Sequence, residues 1–428
     1  MILGMVSFMA ASLVETIYIG WVGTEELAAL SFTFPVVMVL QGIAMGLGVG
    51  AASVVARSIG AGDKEGVRRV VTHSFLLASL LQIGVAAITY TQVVPLFRLL
   101  GAEPHILVLI TGYMEIWLLG APFFAIAFVG SMLLRATGDV RTPGYLMAIG
   151  ALLHVLIAPI FVFGLGPAPE MGLRGAAMGF LLARVGSLFM YLYCLGYRDR
   201  QLTWSVDGML ASWKATLHVG FPAVASNLIA PVSMGIIMRL LASHGAEVVA
   251  GYGVASRIES MVMMVVFSLS MSVAPFVGQN WGAGRIDRVQ EALRLAIRFC
   301  LAWGAMAFVA LLLVGESLVA MINDDPQVIE AAAIYLIIVP IGVGFGGVMN
   351  TVTQAFNALG KPMPPLVLTV LQTLVVYVPL AIVGNMLWGY KGIFGALALT
   401  STVLGIVSWV WILRMIDAHV AAQGAAAR

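Results

Sequence analysis

The sequence predicts an all-α membrane protein with twelve transmembrane helices, arranged as two pseudo-symmetric six-helix lobes around a central cavity. Three observations carry this prediction: a hydrophobic composition, a series of long apolar stretches and an internal repeat. Of 428 residues, 61% are hydrophobic and only 10% are charged, with a mean hydropathy of +1.02. Such a small number of charged residues cannot cover the surface of a soluble domain. We therefore expect lipid to be the main solvent of this chain.

The apolar stretches have the length that a bilayer requires. About 20 mainly apolar residues cross roughly 30 Å of hydrocarbon, and the chain supplies twelve such stretches between short polar or Gly- and Pro-containing segments. Prolines inside them, such as Pro35, Pro122 and Pro340, remove a backbone donor and predict kinks. In chain order we predict helices at 2–23, 31–57, 72–99, 105–135, 142–164, 172–197, 211–243, 248–281, 289–322, 327–359, 364–387 and 392–416.

The two halves of the chain repeat each other. Shifting the sequence by 222 positions brings small and charged residues at loops and helix ends into register without a gap, as a duplicated transporter half would. We therefore place an N-lobe at 1–200 and a C-lobe at 201–428. A six-helix repeat keeps its orientation, which predicts an axis along the membrane normal and a midplane cavity. The matched pairs include Glu25/Glu247, Gly60/Gly282, Gly62/Gly284, Gly138/Gly360 and Pro143/Pro365.

The basic residues predict the orientation of the chain. Most lie in the loops that follow even-numbered helices or near the C-terminus, such as Arg57 and Lys64, whereas the opposite loops hold only Arg98, Arg174 and Lys391. Because cytoplasmic loops are enriched in Lys and Arg, we expect both termini to lie in the cytoplasm.

Several functional classes are excluded at this stage. Cys194 and Cys300 lie in apolar stretches and give no basis for a disulfide or a cysteine metal site. Basic residues dispersed among short loops do not form a nucleic-acid surface. The chain has no GxxxxGK[ST] loop to bind ATP, no HExxH motif and no histidine spacing typical of a hydrolase. We therefore expect a non-enzymatic protein without a metal or a cofactor.

Five segments resemble signatures of the MATE (multidrug and toxic compound extrusion) family, within the wider MOP flippase superfamily. Two of them are equivalent in the repeat, ARSIGAGDKEGVRRV at 56–70 and GQNWGAGRIDRVQEA at 278–292. The others are VETIYIGWVGTEELAAL at 14–30, LLRATGDVRTP at 133–143 and FNALGKPMPP at 356–365. They follow the family's order and cover essentially the whole chain.

This resemblance implies a secondary active exporter. A MATE-like protein would expel cationic or amphipathic organic compounds in exchange for protons or sodium ions entering the cell. It implies a multi-pass protein of the bacterial inner (plasma) membrane, with small organic cations and the lipid bilayer as its partners. We expect it to act as a monomer.

Four N-lobe residues are candidates for the coupling site: Glu15, Glu115, His154 and Arg184. Counting residues from the helix ends places all four about 12 to 18 Å below the outer surface, where an ionisable group is normally paired or faces a wet cavity. In the family pattern, the position of Glu15 is usually an aspartate, which makes Glu15 the candidate carboxylate for the coupling cation. A static pair of Glu15 with Arg184 remains the alternative.

The C-lobe offers a second set of candidates. Arg239, Arg257 and Glu259 lie close in sequence and depth, which favours a structural network with Glu259 as the alternative coupling acid. The family's helix-five asparagine and aspartate correspond to His154 and Ala158 here, and helix seven lacks the glutamate of one family branch, so a sodium site like that branch's is not supported. Neutral polar residues on the helices are candidate substrate ligands, namely Asn227, Tyr335, Asn350 and Gln354.

Two other transporter classes predict different sequence features. A lipid-linked oligosaccharide or lipid flippase of the same superfamily would share the lobes but favour a more basic cavity. A major-facilitator carrier should show G-x-x-x-D-x-x-G-R after helix two, and the loop at 58–70 does not fit that pattern.

Overall fold

A computed structural model describes residues 2–426, with side chains described throughout except at positions 2, 230–232 and 423–426. The described residues are almost entirely helical. In chain order the helices are α1 Ile2–Val22, α2 Thr24–Gly60, α3 Lys64–Leu99, α4 Pro104–Ala136, α5 Thr142–Val162, α6 Leu173–Leu192, α7 Met209–Ala242, α8 Ala246–Gly282, α9 Ile286–Ala320, α10 Pro326–Ile338, α11 Pro340–Ala358, α12 Met363–Val370, α13 Val378–Trp388 and α14 Tyr390–Ala426. Segments of π-helix at Tyr193–Arg198 and Leu371–Tyr377 continue α6 and join α12 to α13.

The number of spans agrees with the sequence prediction. Within residues 2–426, eleven helical segments are long and apolar enough to cross a membrane, and α10 with α11 forms a further span bent by 52°. The bend falls at Pro340, which has no N–H to donate to the carbonyl of Leu336. By contrast, Pro35 and Pro122 lie inside uninterrupted helices. The all-α class with twelve spans is confirmed.

Several helices begin earlier than the apolar stretches indicated. α2 starts at Thr24 and α3 at Lys64, in place of the predicted positions 31 and 72. The start of α3 is fixed by Asp63, whose Oδ1 accepts a hydrogen bond from the backbone N–H of Gly66 at 2.8 Å. Such a cap satisfies an otherwise free donor of the first turn. Hydropathy detects only the part of each helix that meets hydrocarbon, so polar first turns were missed.

The two Gly-Ala-Gly segments end α2 and α8 in the same way. Gly62 and Gly284 adopt φ values of +77° and +69°, which glycine reaches without the clash that a Cβ would cause. In the first segment, Asp63 N donates to Ser58 O at 3.0 Å, and in the second, Arg285 N donates to Asn280 O at 2.8 Å. The predicted tight exits are therefore present in both halves.

Contacts within the chain define two units, Met1–Asn227 and Leu228–Arg428, so the division falls inside α7. In the first unit, α4 packs against α2, α3 and α6, while α5 packs against α1 and α6. In the second unit, α11 packs against α8, α9 and α14, and α10 packs against α8 and α9. The central helices are therefore α4 in the first unit and α10 with α11 in the second. In each half they form the fourth span.

Candidate functional site

The first unit contains a cavity of about 440 Å³ between five of its helices, α1, α2, α4, α5 and α6. On α1, the lining residues Phe8, Ala11, Ser12 and Glu15 recur at i, i+3, i+4 and i+7, which places them on one face of the helix. The cavity is lined by Phe8, Ala11, Ser12, Glu15, Thr16, Leu27, Leu30, Ser31, Thr33, Phe34, Val37, Met38, Gln41, Tyr113, Trp117, His154, Phe180 and Arg184.

Glu15 and His154 approach each other inside this cavity. Glu15 Oε1 lies 3.9 Å from His154 Nε2, and the two side chains are 16% and 6% exposed. This distance is longer than a hydrogen bond. Neither of these two atoms has a hydrogen-bond partner among the described residues. Because buried polar atoms are nearly always satisfied, this carboxylate oxygen is free to accept a hydrogen bond from water or to contact an ion or a substrate.

Arg184 brings a positive charge to the same cavity from α6. Its guanidinium carbon lies 5.2, 5.6 and 5.8 Å from the ring centroids of Phe180, Phe124 and Phe8. Rings at this distance stabilise a cation through their negative faces. Arg184 Nε has no hydrogen-bond partner within the described residues. The aromatic surroundings hold the guanidinium without neutralising it by a close ion pair.

Three of the four predicted N-lobe residues therefore meet in one cavity, and Glu115 does not join them. Glu115 lies two residues from both Tyr113 and Trp117, which line the cavity, and two residues turn an α-helix by about 200°. Glu115 instead faces a separate cavity, where its Oε2 lies 3.8 Å from Arg174 Nη2. Equal depth in the membrane correctly predicted that three of the residues lie together. It did not predict which side of α4 the Glu115 side chain faces.

Among the described residues of the second unit, the predicted charge network is not formed. Glu259 on α8 accepts a hydrogen bond from the hydroxyl of Tyr335 on α10. Arg239 and Arg257 are exposed, and within the described part of the chain neither forms an ion pair with Glu259. A tyrosine, which sequence reasoning had assigned to substrate, is thus the partner of this acid.

The candidate substrate ligands are placed apart from one another. Asn227 belongs to the first unit and donates from Nδ2 to the carbonyl oxygen of Gly42 at 3.3 Å. Asn350 and Gln354 are half-buried neighbours one turn apart on α11 of the second unit. Their role in substrate binding stays a prediction.

Sequence reasoning missed the aromatic residues of the first-unit cavity. Trp117 stacks on Phe180 with a centroid distance of 5.0 Å, and Tyr113 is only 4% exposed. The repeat held a signal for Tyr113, because Tyr335 lies 222 positions later. A tyrosine retained at equivalent positions of both halves could have been assigned to a site.

The cavity combines one acidic side chain with two basic ones. Glu15 supplies a carboxylate oxygen without a partner, and His154 and Arg184 supply positive or protonatable nitrogen atoms nearby. A group that gains or loses a proton here changes the charge of the whole cluster, because charges interact strongly where water is scarce. Among the described residues, no set of three His, Cys, Asp or Glu side chains is grouped to hold a metal ion.

Comparisons with known proteins agree with this architecture. The MatE family model matches residues 1–160 and 222–383, one segment in each half of the chain. A crystal structure of the Vibrio cholerae MATE transporter VcmN in the bent form superposes with a TM-score of 0.93 at 27% identity, covering 97% of this chain and 94% of VcmN.

Two relatives carry different names. A FAD transporter of Shewanella oneidensis is 34% identical over 411 residues, which cover 95% of this chain and 91% of that protein. The probable multidrug resistance protein NorM of Thermotoga maritima is 26% identical over 377 residues, covering 88% of this chain and 81% of that protein. Both similarities extend over nearly the full length of the chain.

Proposed function

This chain belongs to the MatE family of multi-pass membrane transporters, and we propose that it exports organic compounds in exchange for a cation that enters the cell. The observation that carries the proposal is the unpartnered carboxylate oxygen of Glu15 inside the first-unit cavity. We assign Glu15 as the acid that binds the coupling proton or sodium ion. His154 and Arg184 set the electrostatic environment in which that ion is bound and released.

The proposed exchange follows from the charges of the cluster. With an ion on Glu15, the carboxylate is neutralised, and the positive charge of Arg184 opposes the approach of an organic cation. When the ion leaves, the carboxylate regains its charge and an organic cation can approach. The ion and the substrate thus exclude each other, which is the requirement for antiport.

The membrane potential can support this export. One elementary charge moving inward releases about 2.3 kcal/mol per 100 mV, whereas a tenfold concentration gradient costs about 1.4 kcal/mol. Entry of one cation in exchange for a neutral compound therefore sustains a gradient of a few tens-fold at that potential. One-for-one exchange with a monovalent organic cation moves no net charge and is driven by the concentration gradient of the entering ion, at about 1.4 kcal/mol per tenfold. No ATP site is needed for gradients of this size.

The cavity lining supports a broad range of aromatic substrates. Phe8, Phe34, Trp117 and Phe180 offer ring faces, and Met38 adds a flexible thioether. Ring faces bind flat and cationic compounds with little directional demand, and methionine adapts to different shapes. The naming of several relatives as multidrug proteins agrees with this proposal.

Export of an anionic aromatic compound is a second candidate, favoured by Arg184 and by the similarity to the FAD transporter. Flavin adenine dinucleotide combines flat rings with a pyrophosphate, for which a guanidinium is a suitable partner. Moving about two negative charges out of a cell releases about 4.6 kcal/mol per 100 mV. Such export needs no coupling ion at Glu15, so the two candidates differ in their energy source.

A lipid-linked oligosaccharide flippase is less well supported. Such a protein would favour a predominantly basic cavity for an anionic head group. The first-unit cavity instead combines the acid Glu15 with Arg184 and His154.

We further propose that the protein resides in the bacterial inner membrane with both termini in the cytoplasm, and that it acts as a monomer without a cofactor. The distribution of Lys and Arg among the loops supports this orientation. Fusing a fluorescent protein that matures only in the cytoplasm to the C-terminus tests it, because fluorescence is expected in only one of the two orientations.

Transport into inside-out membrane vesicles tests the function. Ethidium serves as the cationic probe, and a proton or sodium gradient is imposed across vesicles containing the wild type, Glu15→Gln or Glu259→Gln. We expect gradient-driven uptake by the wild type, a loss of at least tenfold in Glu15→Gln, and uptake by Glu259→Gln within twofold of the wild type. The glutamine variants keep the size of the side chain but cannot exchange an ion.

The outcomes separate the candidates. Full gradient-driven uptake by Glu15→Gln would remove Glu15 from the coupling role. Absence of ethidium transport, together with flavin adenine dinucleotide transport driven by the potential alone and unaffected in Glu15→Gln, would establish the second candidate instead.

A further inference from the structure

A second, larger cavity lies in the second unit, between α8 and α9. Its volume is about 760 Å³. Most of its lining is apolar, and two charged residues stand at one end. The lining residues are Leu269, Ser272, Val273, Phe276, Arg288, Glu291, Ala292, Leu295, Ala296 and Phe299.

The apolar part of this groove forms an elongated slot. On α9, Arg288, Ala292, Leu295 and Phe299 recur at i, i+4, i+7 and i+11, so they form one stripe along the helix. From the first to the last of them the stripe is about 16 Å long. Leu295 and Phe299 are 57% and 44% exposed, and Phe276 on the facing helix is 46% exposed. Exposed apolar side chains that border a slot of this length are suited to an alkyl chain.

The charged end of the groove lies at the start of α9, next to the predicted beginning of a membrane span at 289. Arg288 is the third residue of α9, close to the short loop that follows the last residue of α8, Gly282. Within the described residues Arg288 forms no ion pair, whereas the neighbouring Arg285 is paired with Asp287 at 3.6 Å. A guanidinium therefore stands at the mouth of an apolar slot.

The surrounding charge is positive. Arg294 and Arg298 are exposed on α9 in the turns that follow Glu291, so these residues and Arg288 together carry three positive charges and one negative charge. Basic residues at the membrane boundary attract anionic lipids. The charge of the region complements a phosphate, and the slot complements an acyl chain.

We propose that this groove binds one anionic phospholipid, with its phosphate diester at Arg288 and one acyl chain along the stripe from Ala292 to Phe299. A guanidinium can donate two parallel hydrogen bonds to phosphate oxygens. The net positive charge favours a monoanionic head group over a zwitterionic one. The lipid belongs to the leaflet on the side of the α8–α9 loop, which the positive-inside rule assigns to the cytoplasm.

Native mass spectrometry of the purified full chain tests the site. The detergent-solubilised protein is titrated with phosphatidylglycerol or with phosphatidylcholine of the same acyl chains. We expect one phosphatidylglycerol to be retained preferentially and Arg288→Gln to weaken its retention roughly fivefold. Arg294→Gln is the comparison variant, because it removes one of the surrounding positive charges but leaves the guanidinium at the groove itself, and we expect its effect to stay below twofold.

A steric variant tests the slot independently of charge. Ala292→Trp places a large ring where the acyl chain would enter the stripe, and we expect it to reduce retention while all the arginines remain. Equal losses in Arg288→Gln and Arg294→Gln would indicate unspecific attraction to a basic surface and overturn the proposal. Equal retention of phosphatidylcholine would also overturn it, as would a protein dimer that is lost in Arg288→Gln, since a second copy would then occupy the groove.

Discussion

The two units place a carboxyl group near the same tyrosine position but satisfy it differently. Tyr113 and Tyr335 are 222 positions apart and equivalent in the repeat. In the first unit, Glu15 reaches the cavity of Tyr113 from α1 and keeps an oxygen without a partner. In the second unit, Glu259 comes from α8 and accepts a hydrogen bond from Tyr335.

Under the proposed function, this difference assigns ion exchange to Glu15 and a structural role to Glu259. Binding an ion at Glu259 must compete with the hydrogen bond from Tyr335, and a hydrogen bond to a charged group contributes about 1.5–3 kcal/mol. The free oxygen of Glu15 has no such competitor among the described residues. The two halves therefore share a scaffold but provide different partners for their acids, and we propose that this difference selects the acid that binds the ion.

The largest expected effect tests whether each unit contains an equivalent place where two helices cross at close distance. A Cβ on Gly175 would lie 2.4 Å from the backbone of Phe161, and a Cβ on Gly392 would lie 2.0 Å from Gly384 O. We expect Gly175→Ala and Gly392→Ala each to lower the free energy of unfolding by about 3 kcal/mol, because backbone atoms cannot yield. Denaturant titration of the purified protein measures this loss.

Gly84→Ala is the matched control for these crossings. A Cβ at that position on α3 would meet no atom within 4 Å apart from the local backbone of its own helix, so the variant is expected to be neutral or slightly stabilising. A large loss in only one of the two crossing variants would show that the repeat has diverged in its packing.

The next largest effect concerns the two tyrosines. Tyr335→Phe leaves the half-buried Glu259 without its donor, and we expect a loss of about 1–3 kcal/mol in unfolding free energy. Tyr113→Phe should cost less than about 0.5 kcal/mol, since the structure shows no hydrogen bond from that hydroxyl within the described residues. Denaturant titration of both variants at pH 7 measures the difference, and equal losses would contradict the contrast between the two acids.

A smaller loss of stability, equal in the two units, is expected at the C-terminal ends of α2 and α8. Gly62→Ala and Gly284→Ala place a Cβ on backbones with φ of +77° and +69°, and the expected cost is about 1 kcal/mol each. If the two helix ends are equivalent, the two losses agree within experimental error. Thermal unfolding of the two variants beside the wild type measures them, and a loss confined to one helix end would show that the exits are not equivalent.

The smallest effect depends on pH and distinguishes the loops that follow α4 and α11. Partial burial alone would raise the pKa of Asp139, but hydrogen bonds from Thr142 and from Arg198 outweigh it and lower the pKa below its usual range. A lowered folded-state pKa contributes stability above the unfolded pKa of about 3.9, and this contribution is lost as the pH falls through the folded value.

We therefore expect Asp139→Asn to lower stability at pH 7 by less than about 1 kcal/mol, since the ion pair with Arg198 is partly exposed. The gap to the wild type should close below about pH 4. Lys361 occupies the equivalent position 222 residues later, and Lys361→Gln is expected to show no such pH dependence. Thermal unfolding from pH 7 to pH 3 measures both variants, and a gap that stays constant would contradict the assignment.

The sequence predicted the depth of the candidate site residues along their helices, but not the direction in which each side chain points. Counting 1.5 Å per residue from the helix ends placed Glu15, His154 and Arg184 at one level, and the structure brings them into one cavity. The same count included Glu115, which faces Arg174 instead. Depth follows from position along one helix, whereas the direction of a side chain depends on how that helix is rotated against its neighbours.

The amino-acid sequence by itself determined the helical class, the twelve spans, the repeat and the glycine exits, because bilayer thickness, backbone hydrogen bonding and glycine's conformational range act locally along the chain. Only the tertiary structure decided that Tyr335 holds Glu259, that aromatic rings surround Arg184 and that Pro340 breaks a span while Pro35 does not. These features depend on which helices pack together and at what rotation. That choice is settled by the fit of many side chains at once, and no single segment encodes it.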